Sequence, residues 1–198
     1  MLLKDVAEIK LGLPLDRKKA NYISASKIKY KLISLKVFEE STSPNLLYLD
    51  EYIATEDVEP YFLTQNNDIL IRIRTPATAI YIDENSTGLV ISALIASIRV
   101  HSLGMVDCEF LAYYLNSRFI QKQLSQNIVG TTIPMVKISD IQQLELRLPS
   151  LSVQQQTVCY LKHAEHEINL LQKLTKEKIK LKNSIFETII TNKKELNK

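Results

Sequence analysis

The chain has 198 residues, 45% of them hydrophobic, and a formal net charge of +3. That is enough apolar content for one domain of ordinary size plus an appendage. Only four glycines and no tryptophan argue against a Gly-rich nucleotide-binding protein, and nowhere do about 18 apolar residues run together as a membrane span.

The N-terminal MLLKDVAEIK lacks the apolar core of a secretion signal, so the expectation is a cytoplasmic protein with no membrane partner. Met1 to Leu13 reads as a short helix or turn, then strand-like residues. Asp16 to Tyr30 is a polar, basic loop leading into a strand, YKLISLKVF. Ser41 to Pro44 is a turn, and Leu46 to Ile53 a weak strand. In NNDILIRIRT, Ile69, Ile71 and Ile73 alternate with Leu70, Arg72 and Arg74, which predicts a half-buried strand ended by Thr75-Pro76. ATAIYID is a further strand, Glu84 to Gly88 a tight turn, and LVISALIASIRV a third β-branched stretch. From Asp107 to Leu124 the period becomes helical, with Asp107 as N-cap. Gly130-Thr131-Thr132 is a loop, Ser139-Asp140 caps a short helical turn, and LELRLP is a last strand.

After Pro149 neither glycine nor proline recurs. Ser150 or Ser152 can serve as N-cap. Apolar residues at Val158, Leu161, Ala164, Ile168, Leu171, Leu174, Leu181, Ile185 and Ile189 recur mostly at intervals of three and four, interrupted by Lys178. The pattern predicts a helix far longer than the globular mean of about 11–12 residues, with a narrow apolar stripe.

Charge is segregated along the chain. Eight basic residues stand between Lys10 and Lys36 against Asp16 alone, and eight acidic ones between Val37 and Ile69 with no Lys or Arg. Segregation permits a basic face that meets phosphate. Cys108 and Cys159, far apart and in apolar surroundings, are expected to be buried thiols in a reducing compartment.

Catalysis has little support. No G-x-S-x-G, Walker or G-x-G-x-x-G motif is present, nor an Asn-Pro-Pro-Tyr of the kind used to hold a flipped base. His163 and His166 share a helix face without further ligands, which reads as a solvated pair and not a metal site. Asp68 and Glu84 lie too loosely for a nuclease. What remains is a binding surface. Arg72 and Arg74 share one side of a strand ending in Thr75, and arginine reads guanine bidentately and clamps phosphate. An intramolecular ion pair with the acidic residues at 50–59 is the alternative, and the sequence leaves both open. Arg17, Lys18 and Lys19 with Tyr22 form a basic loop with an aromatic. Thr131 and Thr132 offer hydroxyls beside backbone NH groups.

Taken in order, these segments resemble the specificity (S) subunits of type I restriction–modification systems. Leu3, Asp5, Val6, Ile9 and Gly12 fit the family's opening segment. Gly130, Thr131 and Pro134 fit its G-T/S-x-x-P loop. Leu146, Leu148, Pro149, Leu151, Gln154 and Gln155 fit the hand-over to its spacer helix. The resemblance implies an α+β fold: a mixed-sheet target-recognition domain with short helices over 1–150, then one long helix over 151–198 that pairs as an antiparallel coiled coil. It implies a non-catalytic reader of double-stranded DNA that docks modification subunits and, in a restricting complex, restriction subunits. S-adenosylmethionine and ATP would be bound by those partners and no cofactor by this chain. A usual S subunit carries two recognition domains and two spacer helices, so this chain resembles a half-length form. Its helix would pair with a second copy through Leu161, Ala164, Ile168, Leu171, Leu174, Leu181 and Ile185. The alternatives are a coiled-coil regulatory or interaction protein, and a half-subunit that exchanges into another complex to alter its specificity.

Overall fold

A computed structural model describes residues 1–15, 27–38, 48–126 and 134–195, with side chains described as far as residue 190. Its packing falls into two units, Met1–Gln155 and Gln156–Lys198. In the first, β1 (Ala7–Leu11), β2 (Ile28–Ile33), β3 (Asp50–Ala54), β4 (Ile69–Arg72), β5 (Ala79–Tyr81), β6 (Val90–Ile91) and β7 (Ile95–Val100) make two sheets. The larger has the order β1-β7-β4-β5 and is antiparallel throughout. The smaller, β3-β2-β6, is mixed, because β2 runs antiparallel to β3 and parallel to β6. Three short helices follow, α1 (Cys108–Leu115), α2 (Arg118–Gln126) and α3 (Ile138–Gln142), and then α4 spans Leu151–Glu195. The class is the α+β expected, with mixed pairing, short helices and one long C-terminal helix.

Alternation along β4 decides the layers. Ile69, Ile71 and Ile73 pack with Leu111, Leu115, Ile120 and Ile141 of the short helices. Leu70 points the other way, into a cluster with Ile33, Ile80, Ile91 and Ile95 between the two sheets. β4 is therefore covered on both faces rather than half-buried, and only its Arg72 end emerges. Period-two alternation reports which side is apolar; here Leu70 made both sides apolar over the buried part.

The stretch LVISALIASIRV is two strands, not one. It breaks after Ile91 and restarts at Ile95, so that β6 joins the small sheet and β7 the large one. The end of β1 runs against this corner, with Gly12 N–H donating to Ile95 O at 2.9 Å and Leu13 N–H to Ile91 O at 2.7 Å. A Cβ at Gly12 would lie 2.3 Å from Ser92 O, so only glycine passes.

Other expectations are corrected locally. YKLISLKVF leaves the strand at Ile33, and Leu35–Phe38 turns into a 3-10 helix. The helical stretch from Asp107 is broken at Asn116, whose side chain leaves the helix to bond both backbone groups of Ala79, at 2.7 and 2.8 Å. Asp107 does cap α1, accepting from Phe110 N–H at 2.8 Å. Ser139 and Asp140 lie inside α3, whose N-cap position is Lys137. LELRLP forms no strand. It makes one antiparallel bridge, Leu2 to Glu145, flanked by Leu3 N–H to Leu144 O (3.0 Å) and Leu146 N–H to Met1 O (2.8 Å). It has only the N-terminal residues to pair with, too few for a ladder. The turn expected at Ser41 to Pro44 lies outside the described residues.

α4 runs for 45 residues. Its first turn holds Gln154, a fully buried carboxamide with three backbone partners. Nε2 donates to Met105 O and Pro149 O, both at 2.9 Å, and Oε1 accepts from Asp107 N–H at 2.9 Å. Farther along, Leu161 and Ala164 are half-buried, while Ile168, Leu171, Leu174, Leu181 and Ile185 are exposed. No helix among the described residues is long and apolar enough to cross a membrane.

Candidate nucleic-acid interface

The turn joining β4 to β5 carries the two arginines singled out by sequence. It is closed by Arg72 N–H to Thr78 O (3.0 Å) and Thr78 N–H to Pro76 O (2.8 Å), around a cis Thr75–Pro76 bond. A second segment is laid against it: Arg74 bridges Met135, Val136 N–H donates to Ile73 O (2.8 Å), and Thr75 donates through N–H and Oγ1 to Pro134 O (both 3.3 Å). From the other side Gln121 Nε2 of α2 donates to Ala77 O at 3.0 Å. The turn is thus held on both flanks by backbone acceptors, which fixes the direction of whatever it presents.

The two arginines do different things there. Arg72 is half-buried and its Nε donates to the Pro76 carbonyl, so it braces the turn. Arg74 is exposed, and among the described residues its guanidinium has no ion pair. Neither meets a carboxylate at 50–59; Asp50 is paired with Lys36 instead, at 2.9 Å. Thr75 is exposed beside Arg74, its hydroxyl hydrogen donated to Pro134 O. Arg74 is therefore a free donor set on a braced turn, suited to a phosphate or a base edge.

Of the other candidates, Arg17, Lys18, Lys19, Tyr22, Thr131 and Thr132 lie outside the described residues. Asp68 is structural. Its carboxylate takes Arg99 Nε (2.9 Å) and Nη2 (3.1 Å), and Gln65 N–H (2.9 Å), while Arg99 also donates to Leu63 O. Burial pushes that carboxyl up, against the lowering by Arg99 and Gln65. Cys108 is buried, and burial, with Asp107 and Asp68 nearby, pushes its thiol up to about 11, which favours the protonated thiol. Cys159 is exposed, contrary to expectation, because it lies off the apolar stripe of α4. Among the described residues no three His, Cys, Asp or Glu side chains gather as a metal site. Not singled out by motif are Lys27, Lys29 and Lys31, all exposed, although their alternate spacing is plain in the sequence.

Residues 1–183 match the family described as type I restriction modification DNA specificity domain. Over 88 residues the chain is 30% identical to the type I restriction enzyme MjaVIII specificity subunit of Methanocaldococcus jannaschii, covering 44% of this chain and 21% of that one. It is similar in fold to the HsdS subunit of Thermoanaerobacter tengcongensis (TM-score 0.59, 18% identity, 87% of this chain and 38% of that one). It is likewise similar to the type I S subunit from M. genitalium (TM-score 0.58, 16% identity, 88% and 40%). A chain from a structure on complex assembly and conformational transition of the type I R-M system gives a TM-score of 0.62 at 18% identity, over 90% of this chain and 40% of that one. In each case this chain spans well under half the length of its relative.

Proposed function

The chain belongs to the type I restriction–modification DNA specificity family, and from that premise we propose that it is the DNA-reading subunit of a type I complex, without chemistry of its own. The observation that carries this is the extent of the family match, which crosses both the two-sheet unit and most of α4. The first unit reads a few base pairs, with Arg74 and Thr75 at the contact and the segments around Arg17, Lys18, Lys19, Tyr22, Thr131 and Thr132 adding to it. Modification subunits dock on the chain and supply S-adenosylmethionine for methylation, and restriction subunits, where present, supply ATP-driven cleavage. The reaction takes place in the cytoplasm.

Two copies pair through α4. The apolar row of Ile168, Leu171, Leu174, Leu181 and Ile185 is exposed in one chain, and such a row on so long a helix supports burial against its own copy. An antiparallel pair has two-fold symmetry and presents two identical readers in inverted orientation. Forty-five residues at about 1.5 Å each span about 67 Å, or about two turns of duplex. The site read is therefore an interrupted palindrome. Methylome sequencing of a host expressing this chain with its modification subunit is expected to return such a motif; a non-palindromic motif would sink the symmetric pair.

A further inference from the structure

β2 carries a feature that the reading of base pairs does not use. Its even-numbered side chains face a core: Leu32 is buried with Tyr52 and Val90, and Tyr30 packs against them. On the odd side Ile33 is buried between the sheets, but Lys31 and Lys29 before it are exposed, as is Lys27 just ahead of the strand. Pairing with β3 sets Lys31 opposite Glu51 and Lys29 opposite Ile53. Among the described residues none of the three lysines has a carboxylate within ion-pair distance. Two ammonium groups, those of Lys29 and Lys31, thus leave one side of β2, with the exposed Lys27 two residues before Lys29.

We propose that Lys27, Lys29 and Lys31 form a row that binds the phosphates of one DNA strand and sets the register of the reader without reading sequence. This rests on the DNA-reading function proposed above. The spacing suits the ligand. Alternate residues on a strand stand about 7 Å apart, and adjacent phosphates of one duplex strand, with a rise of about 3.4 Å along the axis plus the rotation of the helix, are separated by about the same distance, so successive lysines can meet successive phosphates. A sheet-borne row also holds its geometry better than a loop, because Lys29 and Lys31 lie in the part of β2 that is laddered to β3. Lysine suits the task, since a compact charge on a flexible stem attracts phosphate without demanding a particular base.

The experiment uses the full chain with its modification subunit, one duplex containing the methylated motif and one scrambled duplex, with binding measured from low to moderate salt. The K27Q/K29Q/K31Q variant is expected to flatten the slope of log K against log salt by about 2–3, since each neutralised phosphate contributes about 0.9. It should do so equally on both duplexes and leave the methylated motif unchanged. The K27R/K29R/K31R variant should keep the wild-type slope, which separates charge from misfolding. An unchanged slope in the glutamine variant, with wild-type binding intact, overturns the row. So does loss of the modification subunit with the DNA slope intact, since the lysines would then face an acidic protein surface. A wild-type complex with no specific duplex binding removes the DNA reading itself, and the row with it.

Discussion

Gln154 spends its carboxamide on three backbone groups of three different residues, Met105, Pro149 and Asp107, and Asp107 in turn caps α1. Replacing it with leucine removes the partner of one N–H and two carbonyls around a buried side chain. Gln154→Leu is expected to lower the stability of the first unit by about 1–3 kcal/mol, read from the urea midpoint at constant slope. An unshifted midpoint refutes the role. The two arginines separate by experiment in the same way. Arg74→Ala is expected to cost about 1–3 kcal/mol of discrimination between cognate and altered duplexes if it reads a base, with stability unchanged. Arg72→Ala is expected to lower stability, because its Nε closes the turn. Equal loss of discrimination in both variants would contradict the division. At this scale the sequence was informative where chemistry is local. The cap at Asp107 needs only its own first turn, whereas two of the three partners of Gln154, Met105 and Asp107, lie more than forty positions away, and no local pattern announces them.

Among elements, β4 and α4 show opposite limits of periodicity. In β4 the alternation correctly placed Ile69, Ile71 and Ile73 on one side, but the second sheet covering Leu70 is built from β2 and β6, which no count along β4 can reveal. In α4 the three-and-four spacing did mark a helix whose apolar side its own chain leaves exposed. The midpoint of Leu151–Glu195 is Lys173, so a copy paired end to end sets Lys178 opposite Ile168 and Lys182 opposite Ala164, with Glu165 and Glu167 of the copy close by. Opposite charges at that point favour this register over one shifted by a heptad toward the C-terminus, which would crowd the lysines of both helices. Leu171→Glu places a charge near the centre of the proposed seam. It is expected to give a monomer by analytical ultracentrifugation at concentrations where the wild type is a dimer; a variant that stays dimeric refutes the pairing.

For the whole molecule, the order of modest motifs was more legible than any one of them. The opening segment through Gly12 and the hand-over through Pro149 and Gln154 are far apart in sequence, yet each sits where the fold has a strict local demand. Gly12 passes a corner that excludes a Cβ, and Gln154 fills a buried polar site. The reading surface was less legible, since an exposed guanidinium and a braced one have the same letter. Arg72 and Arg74 could be told apart only once the turn was seen closed on Pro76 and Pro134.

The bridge between Leu2 and Glu145, with its flanking bonds from Leu3 to Leu144 and from Leu146 to Met1, has a consequence for interchange. It brings the entrance and the exit of the first unit side by side and fastens them through main-chain bonds, beside the buried side chains of Leu3, Leu144 and Leu146. Main-chain bonds are indifferent to side-chain identity. A unit with different surface residues that keeps these two fastened ends can therefore preserve the same entrance and exit.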